Sequence, residues 1–80
     1  GAKLISANFW KANIRKTSFV DADLSGANFT SANISKASFF GSNLSGADLT
    51  SAKIGKTELS HAIICGTIMP DEKLDNSGCD

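Results

Sequence analysis

The sequence predicts an all-β protein, a quadrilateral β-solenoid of about three and a half coils. The first observation is a bulky apolar residue at every fifth position, preceded two places earlier by a small residue, usually alanine. The bulky series comprises Leu4, Phe9, Ile14, Phe19, Leu24, Phe29, Ile34, Phe39, Leu44, Leu49, Ile54, Leu59, Ile64 and Met69. The second observation is a longer repeat, since residues 1–20 and 21–40 are identical at 11 of 20 positions.

The five-residue unit itself predicts a short strand followed by a corner. A period of five fits neither the period of about 3.6 of a helix nor the period of two of a strand. Residues 22–24, Ala-Asp-Leu, alternate small, polar and large as a short strand does. A straight continuation would turn the next alanine outward, so the remaining two residues must form a corner. Glycines such as Gly26 and Gly46 fit a corner that needs positive φ, and the middle Asn or Asp can bond nearby backbone.

The core residues predict the number of corners in each coil. When the chain is cut every 20 residues, Ile14, Ile34 and Ile54 fall in one column, and Phe19 and Phe39 fall in another. Four repeats therefore complete one coil, and neighbouring coils pair about 4.8 Å apart as strands do. We expect a core of stacked Leu, Ile and Phe.

The repeats resemble the pentapeptide repeat family, whose A-[ND]-[LF]-x-x pattern begins here at Ala7, Ala22, Ala27 and Ala47. The resemblance covers residues 2–69 and implies a right-handed quadrilateral β-helix with the alanine and the central apolar residue inside. The ending at residues 66–71 is similar to the close of such domains in cyanobacterial proteins.

Two parts are expected along the chain, a solenoid at residues 1–70 and a capping tail at residues 71–80. Pro70 has no N–H to donate, so it ends the ladder. We expect Leu74 to fold back over the last coil as a plug. The first coil starts in register without a cap, and solenoid ends normally need one. We therefore expect an upstream segment or another molecule to cover it.

Apolar residues at the corners are candidates for an interface. Ile5, Trp10, Val20 and Phe40 each follow a central residue and should point outward. Scattered exposed apolar residues are normal, but tryptophan is enriched at interfaces. We interpret these residues as a candidate contact for a protein partner or for self-association through the first coil. The alternative for Trp10 is packing against a preceding segment.

A column of lysines is expected at another corner. Lys16, Lys36 and Lys56 are 20 residues apart and should stack along one edge, where like charges are mildly destabilising. One interpretation is that they extend into water and discourage edge pairing. A second is a contact for an anion or an acidic partner. A third is that the tail, with four acidic residues in 71–80, folds onto this edge.

The two cysteines, Cys65 and Cys79, allow a disulfide that would hold the tail. Closing that loop is worth about 3 kcal/mol. Two free thiols are the alternative. Thylakoid-lumen members of the family in plants look similar in ending with paired cysteines. We therefore expect the thylakoid lumen or another oxidising compartment if the disulfide forms, and the cytoplasm otherwise.

No residue pattern indicates catalysis. His61 is the only histidine, the serines have no base at a meaningful spacing, and phosphate-binding or metal-binding motifs are absent from the sequence. We predict no enzyme, no cofactor and no metal. The longest apolar run, Ala62 to Cys65, is too short for membrane insertion.

The predicted function is a rigid structural or protein–protein interaction module. The alternative is a nucleic-acid mimic that binds a topoisomerase, as some proteins of the family it resembles do. That function needs a long acidic rod, whereas residues 1–70 hold seven Lys or Arg against four Asp or Glu. Direct nucleic-acid binding through the lysines is a third option, but no aromatic residues alternate with them, so nucleic acid is not the expected partner.

Overall fold

The computed structural model describes residues 2–79. Single parallel β-bridges join residues 20 apart along the chain, from Lys3 with Asp23 to Asp48 with Ile68. Two longer strands, β1 (Thr67–Ile68) and β2 (Leu74–Asp75), pair antiparallel near the C-terminal end. The chain is therefore a β-solenoid, as the repeats predict.

Each corner from residues 4–7 to residues 59–62 is a β-turn whose third residue has positive φ. In the first corner, the Ala7 N–H donates to the Leu4 C=O at 3.0 Å, and Ser6 has a φ of 58°. Positive φ at the third residue is the mark of a type II turn. Glycine occupies this place in several later corners, as at Gly26 and Gly46, where the sequence predicted it. The other corners carry Ser, Lys, Asp or His in a conformation that costs about 1 kcal/mol for a residue with a Cβ.

Every backbone N–H of a central repeat has its own acceptor, as residues 27–31 show. The Ala27 N–H closes the preceding turn at 3.0 Å. The Asn28 N–H donates to the coil before it, and the N–H groups of Phe29 and Ser31 donate to the coil after it, at 2.7–2.9 Å. The remaining N–H, that of Thr30, donates to the side-chain Oδ1 of Asn28 at 2.9 Å. The middle Asn or Asp therefore satisfies the one backbone donor that no neighbouring coil can reach.

The phenylalanines form two stacked columns that meet edge to face. The ring centroids of Phe9 and Phe29 are 4.9 Å apart with planes at 8°, and those of Phe19 and Phe39 are 5.0 Å apart at 9°. Between the columns, Phe29 meets Phe39 at 5.7 Å and 88°. Both geometries are favourable for aromatic pairs. The stacking confirms the predicted 20-residue columns.

The core is densest in the middle of the solenoid and thinner at both ends. The side chains of Leu24, Phe29, Ile34 and Leu44 are almost completely buried. By contrast, the core residues of the end coils are only partly buried; they are Leu4, Phe9, Ile14, Ile54, Leu59, Ile64 and Met69. The two ends therefore retain apolar surface that the chain's own core does not cover.

Ser42 is the one buried polar side chain in residues 2–79 whose oxygen has no hydrogen-bond partner. It occupies the position that holds alanine in most repeats, 0% of its surface is exposed, and its Oγ makes no hydrogen bond. Thr67, which stands in an equivalent place and is also 0% exposed, donates its Oγ1 to the Leu44 C=O at 2.7 Å.

Replacing Ser42 with Ala should therefore raise the free energy of unfolding by about 1 kcal/mol, because an unsatisfied buried hydroxyl is removed. Urea denaturation measures the effect. The matched variant Thr67→Val removes a satisfied hydroxyl at similar volume and should lower stability. A Ser42→Ala protein no more stable than wild type would contradict the buried, unbonded hydroxyl.

Candidate interaction surfaces

The first coil exposes a group of apolar side chains, which we call the N-terminal apolar face and define as Leu4, Ile5, Phe9 and Trp10. Ile5 is 60% exposed and Trp10 is 56% exposed. Leu4 and Phe9, the core residues beside them, are only partly buried. The Nζ of Lys11 lies 4.5 Å from the centroid of the Trp10 ring, a cation–π contact that orients the indole without covering it.

Val20 and Phe40 lie together on a different corner. The N–H of Asp21 donates to the Phe40 C=O at 2.9 Å, which joins the two corners directly. Phe40 is 43% exposed, and the ring of His61 meets it edge to face at 5.0 Å. The structure therefore pairs Val20 with Phe40 but separates both from Ile5 and Trp10, because the four residues occupy three different corners.

Lys16, Lys36 and Lys56 stack at a further corner, which we call the lysine column. The Lys16 N–H donates to the Ser35 C=O at 3.1 Å, and the Lys36 N–H donates to the Gly55 C=O at 2.9 Å. All three side chains are exposed. Within residues 2–79 the column forms no ion pair, so no acidic side chain in the described part of the tail pairs with it.

The tail returns along the last coil. After the β1–β2 hairpin, the Gly66 N–H donates to the Asn76 Oδ1 at 2.8 Å, and the Gly78 N–H donates to the Ile64 C=O at 2.7 Å. A Cβ on Gly78 would lie 2.8 Å from the Ile64 nitrogen and 2.9 Å from its oxygen. Only glycine permits this approach of two backbone segments.

Cys65 and Cys79 form a disulfide, with their Cα atoms 4.9 Å apart. Cys65 directly follows Ile64 and Cys79 directly follows Gly78, the two residues joined by the backbone hydrogen bond. A hydrogen bond and a covalent bond therefore hold the tail at the same place. Under the loop-closure model such a link acts mainly by restricting the unfolded chain.

Leu74 does not plug the end of the solenoid, and the expectation that it would was wrong. It pairs with Ile68 in the β1–β2 hairpin, and 61% of its surface remains exposed. It lines an open cleft of about 610 Å³ together with Ile54, Met69 and Pro70.

Three carboxylates are held by the serine two residues later. Asp23 accepts hydrogen bonds from both the hydroxyl and the N–H of Ser25, and Glu58 accepts the N–H of Ser60 at 2.8 Å. The Ser25 bonds lower the pKa of Asp23, the Ser60 hydroxyl and N–H lower the pKa of Glu58, and the Ser77 N–H and hydroxyl lower the pKa of Asp75. The folded state therefore binds protons at these carboxylates less tightly than the unfolded chain does. Their contribution to the free energy of unfolding is present at neutral pH and is lost as acid protonates the carboxylates.

The described residues show no arrangement of chemically reactive groups. No cluster of three His, Cys, Asp or Glu side chains within residues 2–79 is placed to hold a metal ion. The imidazole of His61 packs against Phe40, and the two cysteines are joined to each other. No helix in this part of the chain has the length and apolarity of a membrane span.

Sequence reasoning missed Asn76 and Gly78, the two tail residues that contact the last coil. Asn-Ser-Gly at residues 76–78 is a turn signal, which indicates a bend but not its target. Ile63, 45% exposed, was also missed; it stands in a middle place where most repeats have Asn or Asp.

The family model of pentapeptide repeats matches the chain in 8 copies, over residues 7–46, 30–64 and 42–71. The chain belongs to the pentapeptide repeat family, which confirms the resemblance of its motifs. No curated protein sequence matches it.

The solved structures similar to the chain include three pentapeptide repeat proteins. A pentapeptide repeat protein from the thylakoid lumen of Arabidopsis thaliana is 34% identical over 91% of this chain and 55% of its own, with a TM-score of 0.46. A second is HetL, a pentapeptide repeat protein from Nostoc sp. strain PCC 7120 involved in heterocyst differentiation regulation. It is 21% identical over 94% of this chain and 54% of its own, with a TM-score of 0.35. Another pentapeptide repeat protein from Nostoc PCC 7120 is 24% identical over 76% of this chain and 63% of its own, with a TM-score of 0.33. The chain thus spans less than two thirds of each.

Replacing Gly78 with Ala should detach the tail and lower the free energy of unfolding by about 1–3 kcal/mol, because the added Cβ would overlap the Ile64 backbone. Urea denaturation under oxidising conditions measures the loss. The control is Gly55→Ala, where the nearest atom to a new Cβ is 4.0 Å away and φ is not positive, so stability should hold or rise slightly. Equal stability of the two variants would contradict the docked tail.

Proposed function

We propose that the chain is a rigid, non-enzymatic module for protein–protein contact, built as a right-handed quadrilateral β-helix of about three and a half coils. The N-terminal apolar face carries this proposal. Ile5 and Trp10 are more than half exposed, beside core residues that remain partly uncovered. Tryptophan is enriched among the residues that contribute most to the binding energy of interfaces.

The first coil also holds backbone N–H groups without a partner among the described residues. In later coils, the N–H of the middle residue donates to the coil before it, as that of Asn28 does. The N–H groups of Asn8 and Asn13 make no such bond within residues 2–79.

The charge distribution favours this function over the nucleic-acid mimic. A protein that imitates DNA must present a negative surface. Here Lys16, Lys36 and Lys56 make one edge positive, and no carboxylate within residues 2–79 pairs with them. A positive edge supports contact with an acidic partner and opposes imitation of a polyanion.

An oxidising compartment, of which the thylakoid lumen is an example, is our proposal for the location. The Cys65–Cys79 disulfide supports it, because thiols in the cytosol are kept reduced.

Light scattering after size exclusion, over a range of protein concentrations, tests the proposed face. A second copy is the simplest partner, since a two-fold contact places the same apolar face on both sides. We expect the mass to rise towards that of a dimer, and more so in salt, because Lys3 and Lys11 of the two copies would approach each other.

Trp10→Ser should remain a monomer, whereas Phe40→Ser, which removes an exposed aromatic ring from another corner, should dimerise like wild type. A wild-type monomer at every concentration would contradict self-association through this face.

A further inference from the structure

We propose that the lysine column is a binding site for an α-helix that carries a stripe of acidic side chains. The site lies on a different corner from the N-terminal apolar face. The proposal rests on the interaction function proposed above, and it gives the partner's chemistry at a second surface.

Positive charge is concentrated around this corner. The corner and the two sides that flank it comprise residues 12–19, 32–39 and 52–59. They contain five of the eight Lys and Arg residues of the chain but one of its eight acidic residues, Glu58. The five are Arg15, Lys16, Lys36, Lys53 and Lys56. Glu58 accepts the N–H of Ser60, and within residues 2–79 it forms no ion pair with the column. The charge is therefore left for an external partner.

The lysines occupy places that the backbone and the electrostatics both disfavour. Lys16, Lys36 and Lys56 have φ values of 61°, 62° and 59°, a region that favours glycine. Their stacking puts like charges about 4.8 Å apart along the coil axis, which is repulsive. Gly26 and Gly46 show that an equivalent corner column can avoid both costs. Two separate costs at three stacked positions, without an internal partner, indicate that the ammonium groups act outside the chain.

The spacing of the column selects a helix among acidic partners. Two coil steps span about 9.6 Å, and residues i and i+7 of a helix are about 10.5 Å apart, with i+3 or i+4 between them on the same face. Alternate residues of an extended strand are about 6.8 Å apart, and phosphates of one strand of duplex DNA rise about 3.4 Å. A helix with carboxylates at i, i+3 or i+4, and i+7, aligned with the coil axis, therefore meets all three lysines in register.

Fluorescence anisotropy with two labelled peptides tests the site. Both are alanine-rich, helical peptides with the same number of glutamates, on one face in the first and distributed around the helix in the second. We expect the first to bind wild type more tightly at low salt. The variant Lys16→Ser/Lys36→Ser/Lys56→Ser should lose about tenfold in affinity for it. Serine already occupies equivalent corners at Ser31 and Ser51, so this variant keeps the fold.

A matched control removes the same charge elsewhere. Lys3→Ser/Lys11→Ser/Lys73→Ser has the same net charge as the column variant and should bind the striped peptide within about twofold of wild type. Equal losses in the two triple variants would overturn the proposal, as would equal affinity for the two peptides or for a single-stranded oligonucleotide. Trp10→Ser should bind the striped peptide as wild type does, so a failure of the N-terminal apolar face would not disturb this result.

Discussion

Hydrogen bonding between successive coils is the constraint on which the rest of this structure depends. Because each bridge joins residues 20 apart, every coil must have the same length, and each position keeps the same facing from coil to coil. Phe9 can then stack on Phe29, and each corner lies over the corner before it. An insertion of one residue would turn alanines outward and separate the phenylalanine columns. The uniform length of the repeat is thus a consequence of backbone pairing, and the apolar core follows from it.

The same constraint determines where recognition can occur. The alanine and the central apolar residue are committed to the core, and the middle Asn or Asp is committed to its own corner, as Asn28 is. The two corner residues of each repeat are places that vary widely. Trp10, Phe40 and the lysine column all occupy such places. Corners displayed at fixed spacing on a rigid frame suit the recognition of another surface.

Local pattern was sufficient to predict the solenoid, the aromatic columns and the outward corners, because each follows from the period of the repeat. The tail was not predictable in this way. Leu74 faces the cleft because of its pairing with Ile68, and Gly78 is needed because the Ile64 backbone approaches it, and no periodicity encodes either contact. The positive φ of Lys16 was likewise hidden, since coil pairing overrides the preference of lysine. That Trp10 and Phe40 lie on separate corners does follow from the 20-residue register.

Amide hydrogen exchange, followed residue by residue by NMR, is the most direct test of the coil-to-coil pairing. In residues 22–51, slow exchange should recur with a period of five, at the N–H groups that bond neighbouring coils. The Thr30 N–H donates to the side chain of Asn28 and should exchange more slowly than the Gly55 N–H. Two residues before Gly55 stands Lys53, whose side chain has no hydrogen-bond acceptor. Protection that alternates with a period of two, or that is uniformly weak along the chain, would contradict the stacked coils.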